Sequence, residues 1–274
     1  MQPSVTMLFA ASSLLFALFS CTEKKSLKHD SESRSESASA DSASILELET
    51  SDTERLSSKE SAELAELMIK LRSNSAQIDE IMDQVSGSFS LSAQAAFARE
   101  ILRLGNPDLS LRAVELLSGQ SSSLILPVLQ DALHSSEESV RTAAAAAAGH
   151  ITHPEVVDLF SQIFDDPSET VRLTGTLALD EQHPAQRLSI LDRALQARHG
   201  DVQLSAVNDL QTSSSRTALE ILFQALDSSV TEVRDEARFA IDFLVEKEFQ
   251  SAAEARQWWK ENRGRFDNDL APQE

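Results

Sequence analysis

SVRTAA (139–144), TVRLTG (170–175) and EVRDEA (232–237) are the stretches from which the fold can be read. Val140 and Val171 are 31 residues apart, and continuing that step puts Leu109, Val202 and Val233 in the same series. Four residues after each of these heads stands a small one: Ala113, Ala144, Gly175, Ala206 and Ala237. Eight residues after stand Leu117, Ala148, Leu179, Leu210 and Ile241. Steps of four and eight keep side chains on one face of an α-helix. Upstream of each head the same period recurs twice more, in Phe97, Val128, Leu159, Ile190 and Ile221 and in Leu102, Leu133, Phe164, Leu195 and Leu226. Each unit is thus a helix pair. A fixed period in this range marks a solenoid, whose units bury their apolar faces against one another.

Local signals set the helix limits. Pro154 and Pro184 stand where first helices begin, a position that suits a residue with fixed φ and no amide proton. Asp108 and Asp201 precede column heads and serve as caps or first-turn acids. The spacing predicts helices over 93–104 and 108–118, 123–133 and 138–149, 154–164 and 169–180, 185–197 and 201–211, and 216–226 and 231–246. No segment reads as a strand.

The V-R-x-x-A spacing at the start of the second helix resembles HEAT repeats, in particular the short HEAT-like repeats of bacterial proteins and of the phycobilin lyase group. The resemblance covers roughly 92–249 and departs at Gln203 and Ser110, which stand where the arginine is expected. It implies an all-α, right-handed α-solenoid of about five helix pairs, here at 88–249, with capping helices at both ends. Residues 250–274 include Trp258 and Trp259, which break the column pattern and read as a C-terminal capping helix and tail.

At the other end Met7 to Phe19 is an apolar run of thirteen residues, too short to span a bilayer as a mature helix. It fits the core of a secretory signal peptide over 1–20. Leu18-Phe19-Ser20-Cys21 resembles a bacterial lipobox, which implies that Cys21, the only cysteine, is lipidated and becomes the mature N-terminus. With Thr22 rather than Asp after it, the resemblance implies anchorage on the outer membrane, facing the periplasm. From 21 to 52 the chain is rich in Ser, Glu, Lys, Ala and Asp, a composition too polar to offset the entropy of ordering. This tether of about 30 residues has a root-mean-square reach of about 30 Å.

Residues 53–87 return to a helical pattern. Leu64, Leu67, Leu71, Asn74, Ile78, Ile81 and Val85 alternate steps of three and four. They form an N-terminal cap on the repeats or, on a second reading, a short coiled coil through 64–85 and a route to a homodimer.

The net charge of −20 repels polyphosphate and excludes nucleic acid as a partner. Little in the chain looks catalytic, and no cofactor or metal is expected. His150 and His153, near Glu155 and Asp158, straddle Pro154 and do not share a helix, so they read as a solvated loop. Asp165 with Asp166, and Asp180 with Glu181, lie at helix ends, where capping and turn roles account for them. Arg141, Arg172 and Arg234 form a column suited to a polar ladder between repeats.

On a helical wheel, offsets 2 and 6 from the head point away from the core face. Leu111, Leu173 and Leu204 occupy offset 2, and Leu177 and Phe239 offset 6, where polar residues belong. Together they form an apolar stripe on the side that lines the concave surface of HEAT-like solenoids. An exposed stripe of this kind marks an interaction surface. The expectation is a non-enzymatic envelope lipoprotein that holds an unidentified envelope protein on this face and attaches to the membrane through Cys21. The other functions in view are a phycobilin-lyase-like or chaperone-like factor acting on a bilin, and an oligomeric structural protein assembled through 64–85.

Overall fold

The computed structural model describes residues 57–73 and 77–273. The signal run, Cys21, the Ser/Glu-rich tether and Asn74 lie outside the described residues. Thirteen α-helices account for most of these residues, and no strand occurs among them beyond an isolated bridge between Phe266 and Pro272. The fold is an all-α solenoid. The chain divides into two compact units, one ending at Ala93 and one beginning at Gln94.

The first unit contains α1 (Ser58–Ser73), α2 (Ile78–Ser88) and the start of α3 (Leu91–Arg103). A capping box opens α1. Ser57 Oγ accepts from Glu60 N at 3.1 Å, and the Glu60 carboxylate accepts from Ser57 N at 3.1 Å. Ser90 N donates to the other carboxylate oxygen at 3.3 Å, and the hydrogen bonds from Ser90 and Ser57 draw the Glu60 carboxyl down to about 2. The apolar series of 64–85 is carried by two helices, α1 and α2. Leu64, Leu67, Leu71, Ile81 and Val85 are buried within the single chain, as are Met68 and Met82.

The second unit holds the repeats. First helices are the end of α3, α5 (Leu126–Leu133), α7 (Val156–Phe164), α9 (Pro184–Ala194) and α11 (Arg216–Ala225). Second helices are α4 (Pro107–Leu116), α6 (Glu138–Ala148), α8 (Glu169–Ala178), α10 (Gly200–Ser213) and α12 (Thr231–Leu244). The second helices pack in one row and the first helices in another, with more extensive packing along the second-helix row. Pro107 and Pro184 open α4 and α9, while Asn106 caps α4 by accepting from Asp108 N and Leu109 N at 3.1 Å. Pro154 lies two residues ahead of α7, in a turn of i to i−3 bonds that leads into it, including Val156 N to His153 O at 3.0 Å.

The five column heads are buried, and so are the residues four and eight positions on. On the first helices the fully buried columns are Ala98, Leu129, Phe160, Leu191 and Leu222, together with Ile101, Ala132, Ile163, Ala194 and Ala225. Leu102, Leu133 and Ile221, which the apolar pattern also places in columns, are half-buried.

At the register where the two helices of a unit meet, the second, fourth and fifth units have alanine on both helices, and the first has Ile101 and Ala113. The third pairs Ile163 with Gly175, where an added Cβ would sit 2.3 Å from Ile163 Cγ2. Ile163 is fully buried and has no room to retreat.

The arginine column fastens the units. Arg141 Nη1, Arg172 Nη1 and Arg234 Nη1 each donate to the carbonyl six residues back, at Ser135 (3.0 Å), Asp166 (2.9 Å) and Ser228 (2.7 Å). Gln203, at the arginine position of the fourth unit, makes the same bond to Ala197 O at 2.6 Å. Two arginines also reach forward into the next unit. Arg141 forms a two-point pair with Asp166 at 2.8 and 3.2 Å, and Arg172 holds Asp201 Oδ2 at 2.7 and 3.0 Å. Burial alone would raise the Asp201 carboxyl, but hydrogen bonding from Arg172 prevails and holds it below its ordinary value. A second set of pairs, Arg99–Asp131, Arg198–Asp165 and Arg256–Asp227, ties successive first helices and α13 (Ala252–Asn262).

Beyond α12, the C-terminal segment covers the last unit. Trp259 is buried beside Phe223 and Phe266, with the Arg216 guanidinium 5.9 Å from its ring centre, and Trp258 rests between Phe249 and Phe266.

Gly175→Ala is expected to destabilise by about 1–2 kcal/mol despite the gain of a better helix former. In the Ile163→Ala background that penalty disappears, because the atom the new Cβ would meet at 2.3 Å, Ile163 Cγ2, is gone. A double-mutant cycle by urea unfolding reads the difference as a coupling energy. Arg172→Ala is expected to cost about 2–3 kcal/mol, and Arg172→Gln about half as much because it keeps the carbonyl bond. The Asp201 carboxyl titrates lower in the folded than in the unfolded chain. Its part of the effect is therefore present above pH about 4 and fades as pH falls through the folded value, which unfolding at a series of pH values measures.

Candidate functional site

The row of second helices presents its outer positions to solvent, and four large apolar side chains stand there. On α8, Leu173 and Leu177 are 56% and 63% exposed; on α12, Phe239 and Phe243 are 60% and 62% exposed. Each pair is spaced i, i+4 and so stands on one face of its helix. Leu111 on α4 and Leu204 on α10, placed in the same stripe by their register, are half-buried. The apolar surface is accordingly two patches and not one band. Between them α10 shows Asn208 at the position matching Leu177, and Asp209 paired with Arg187 at 3.1 Å. Arg187 also reaches Asp180 beyond α8 at 3.0 Å. Phe243 was not singled out by the wheel because it lies at offset 10. The signal that finds it is its place one turn beyond Phe239.

Beside the α12 patch is a cleft of about 590 Å³ lined by Phe239, Asp242, Phe243, Glu246, Lys247 and Phe249, among others. Asp242 Oδ1 is buried with no hydrogen-bond partner, and burial raises the Asp242 carboxyl, with the Phe249 amide acting against it. A smaller recess of about 280 Å³ on the first-helix side is lined by Leu126, Gln130, Glu155, Asp158, Leu159 and Gln162.

Arg141, Arg172 and Arg234 are engaged in the bonds between and within units described above, with Arg172 buried. Asp165, Asp166 and Asp180 are ion-pair partners of Arg198, Arg141 and Arg187. His153 Nδ1 lies 3.8 Å from Glu155 and accepts from its backbone amide at 3.4 Å, local contacts of a turn. Among the described residues no group of three or more His, Cys, Asp or Glu is arranged to hold a metal. No helix among them is long and apolar enough to cross a membrane. Cys21 lies outside the described residues.

Comparison with known proteins bears on the repeats. Residues 95–180 match the family model described as HEAT repeats. No curated protein matches the sequence. Among solved structures the chain is similar to human deoxyhypusine hydroxylase in complex with glycerol, at 15% identity and a TM-score of 0.36, covering 74% of this chain and 91% of that one. The matched residues include the SVR and TVR stretches.

Proposed function

We propose that this protein is a non-enzymatic scaffold that holds a protein partner on the second-helix row. The observation that supports this reading is the exposure of Leu173, Leu177, Phe239 and Phe243 on two helices of that row. Large apolar side chains in i, i+4 pairs cost solubility and are not needed by the fold, since the core beneath them is closed by the column heads. Solenoids suit such a role because the row of second helices forms an extended surface.

The sequence supports a place for it. The apolar run Met7–Phe19 followed by Ser20-Cys21 fits export and lipidation at Cys21, so the scaffold is an envelope lipoprotein tethered to the outer membrane on the periplasmic side. The acidic surface, with a net charge of −20, keeps nucleic acid away and steers basic partners toward it.

Leu173→Asp with Leu177→Asp is expected to change stability by under about 1 kcal/mol per site, because both side chains are mostly exposed. The same change at half-buried Leu204 is expected to cost more. Crosslinking in native membranes, followed by purification of the full-length protein, is then expected to recover one specific protein with the wild type and to lose it with the folded double variant. Recovery unchanged by the double variant would remove the α8 patch from the reading. Cys21→Ser is expected to move the protein from the membrane to the soluble fraction, and an unchanged distribution would remove the lipid anchor.

A further inference from the structure

The α12 face carries a feature that an apolar docking patch does not require. Phe239, Asp242 and Phe243 follow i, i+3, i+4 spacing and so share one side of the helix. The helix ends in a Schellman turn, with Lys247 N donating to Asp242 O at 3.0 Å and Glu246 N to Phe243 O at 3.4 Å. The left-handed position of that turn, φ 52° at Glu246, favours glycine. A glutamate there keeps a carboxylate at the mouth of the cleft in a backbone conformation that disfavours it.

Inside the cleft the Asp242 carboxylate has one buried oxygen without a partner. A buried acceptor left empty is unfavourable, and a cation is the group that would satisfy it best. The cleft's own cations do not fill the place. Lys247 stands over the Phe249 ring at 5.2 Å, and Arg238 favours the Asp242 carboxylate by its charge without bonding to Oδ1. Three carboxylates, Asp242, Glu246 and Glu248, line the cleft beside three phenylalanine rings. Aromatic faces beside a carboxylate are the surroundings that a guanidinium or ammonium group prefers.

We infer that this cleft receives an arginine or lysine side chain from an amphipathic segment of a protein partner, with Asp242 as counter-ion and the rings of Phe239 and Phe243 gripping the apolar part of the segment. The inference rests on the scaffold reading for the existence of a partner, while the chemistry of the pocket stands on α12 and the loop after it. Charge complementarity selects the occupant, because the cleft sets three carboxylates against the two cations Arg238 and Lys247 within a chain of net charge −20.

The test uses the full chain and a labelled 14-residue helical peptide with leucines on one face and arginines on the other, compared with a twin in which citrulline replaces each arginine. Fluorescence anisotropy at physiological salt is expected to show the arginine peptide bound at least tenfold more tightly than the twin. Asp242→Asn is expected to erase that preference, whereas Glu169→Gln, an exposed carboxylate at the start of α8, keeps it. The preference is also expected to fade on acidification at a pH above the ordinary aspartate range, since burial raises the Asp242 carboxyl. The charges facing Asp242 are Arg238, Glu246, Lys247, Glu248 and Glu254, and Asp242→Asn separates its titration from theirs. A raised acid destabilises the folded state above its unfolded value, so Asp242→Asn is expected to melt at or above the wild-type temperature at pH 7.

An absent preference in the wild type overturns the inference, as does one that survives Asp242→Asn. Self-association that Asp242→Asn dissolves, read by light scattering, overturns it in favour of a second copy as occupant. A wild type that captures its membrane partner yet shows no charge preference overturns the cleft and leaves the scaffold standing. A charge preference without a captured partner upholds the cleft and removes the scaffold reading.

Discussion

The architecture depends on how closely the two helices of a unit approach. In the third unit Ile163 faces Gly175, and a Cβ there would sit 2.3 Å from Ile163 Cγ2. With Ile163 fully buried, that contact leaves no space for a side chain, as expected of interiors packed at crystal-like density. A second close approach, Gly149 against Ala178 O, where a Cβ would sit at 2.7 Å, sets the spacing between α6 and α8. A bulkier column would push the second helices apart and lengthen every inter-unit bond that follows.

The arginine ladder depends on that spacing. Its invariant part is the bond to the carbonyl six residues back, just beyond the end of the first helix. That carbonyl has no partner within the helix, so an arginine, or Gln203 in the fourth unit, supplies one. The forward bond is optional. Arg141 and Arg172 make it to aspartates, Gln203 accepts instead from Ser228 Oγ at 2.6 Å, and Arg234 turns to Thr231 within its own helix. Asp166 links two rungs, since its carboxylate takes Arg141 while its carbonyl takes Arg172. The polar contacts therefore fix the turn inside each unit first and the junction between units second.

The period, the column heads and the helix limits were legible because they depend on one residue's spacing from the next. α6 and α8 begin at the predicted residues, Glu138 and Glu169. In the first-helix columns Phe97, Val128, Leu159, Ile190, Phe164, Leu195 and Leu226 are buried as the pattern places them. Those helices are apolar on more than one side, so half-buried Leu102 and Leu133 look like core residues beside fully buried Ile101 and Ala132. In the N-terminal region a continuous alternation of threes and fours suits one helix or two, because two short helices in sequence preserve that alternation, and the chain has two, α1 ending at Ser73 and α2 starting at Ile78. For the stripe, the wheel separated inner from outer positions but not exposed from half-exposed ones. Leu173 and Leu204 share an offset and differ in burial, a difference set by each helix's neighbours and absent from any single-helix pattern.

On the proposed scaffold reading, two separated patches make a different demand on a partner than one band would. α8 and α12 are two helix spacings apart in their row, on the order of 16–20 Å. A small molecule cannot reach from Leu177 to Phe239 across that distance, and a second globular domain would press on the polar residues of α10 between them. A helical segment of about 12 residues spans the distance at 1.5 Å per residue. Such a segment would set apolar anchors on α8 and α12 and pass over Asn208 and Asp209 with polar side chains. The residues that interrupt the stripe are then part of its selectivity, because a uniformly apolar segment would cover Asn208 without a partner and take the Arg187–Asp209 pair out of water.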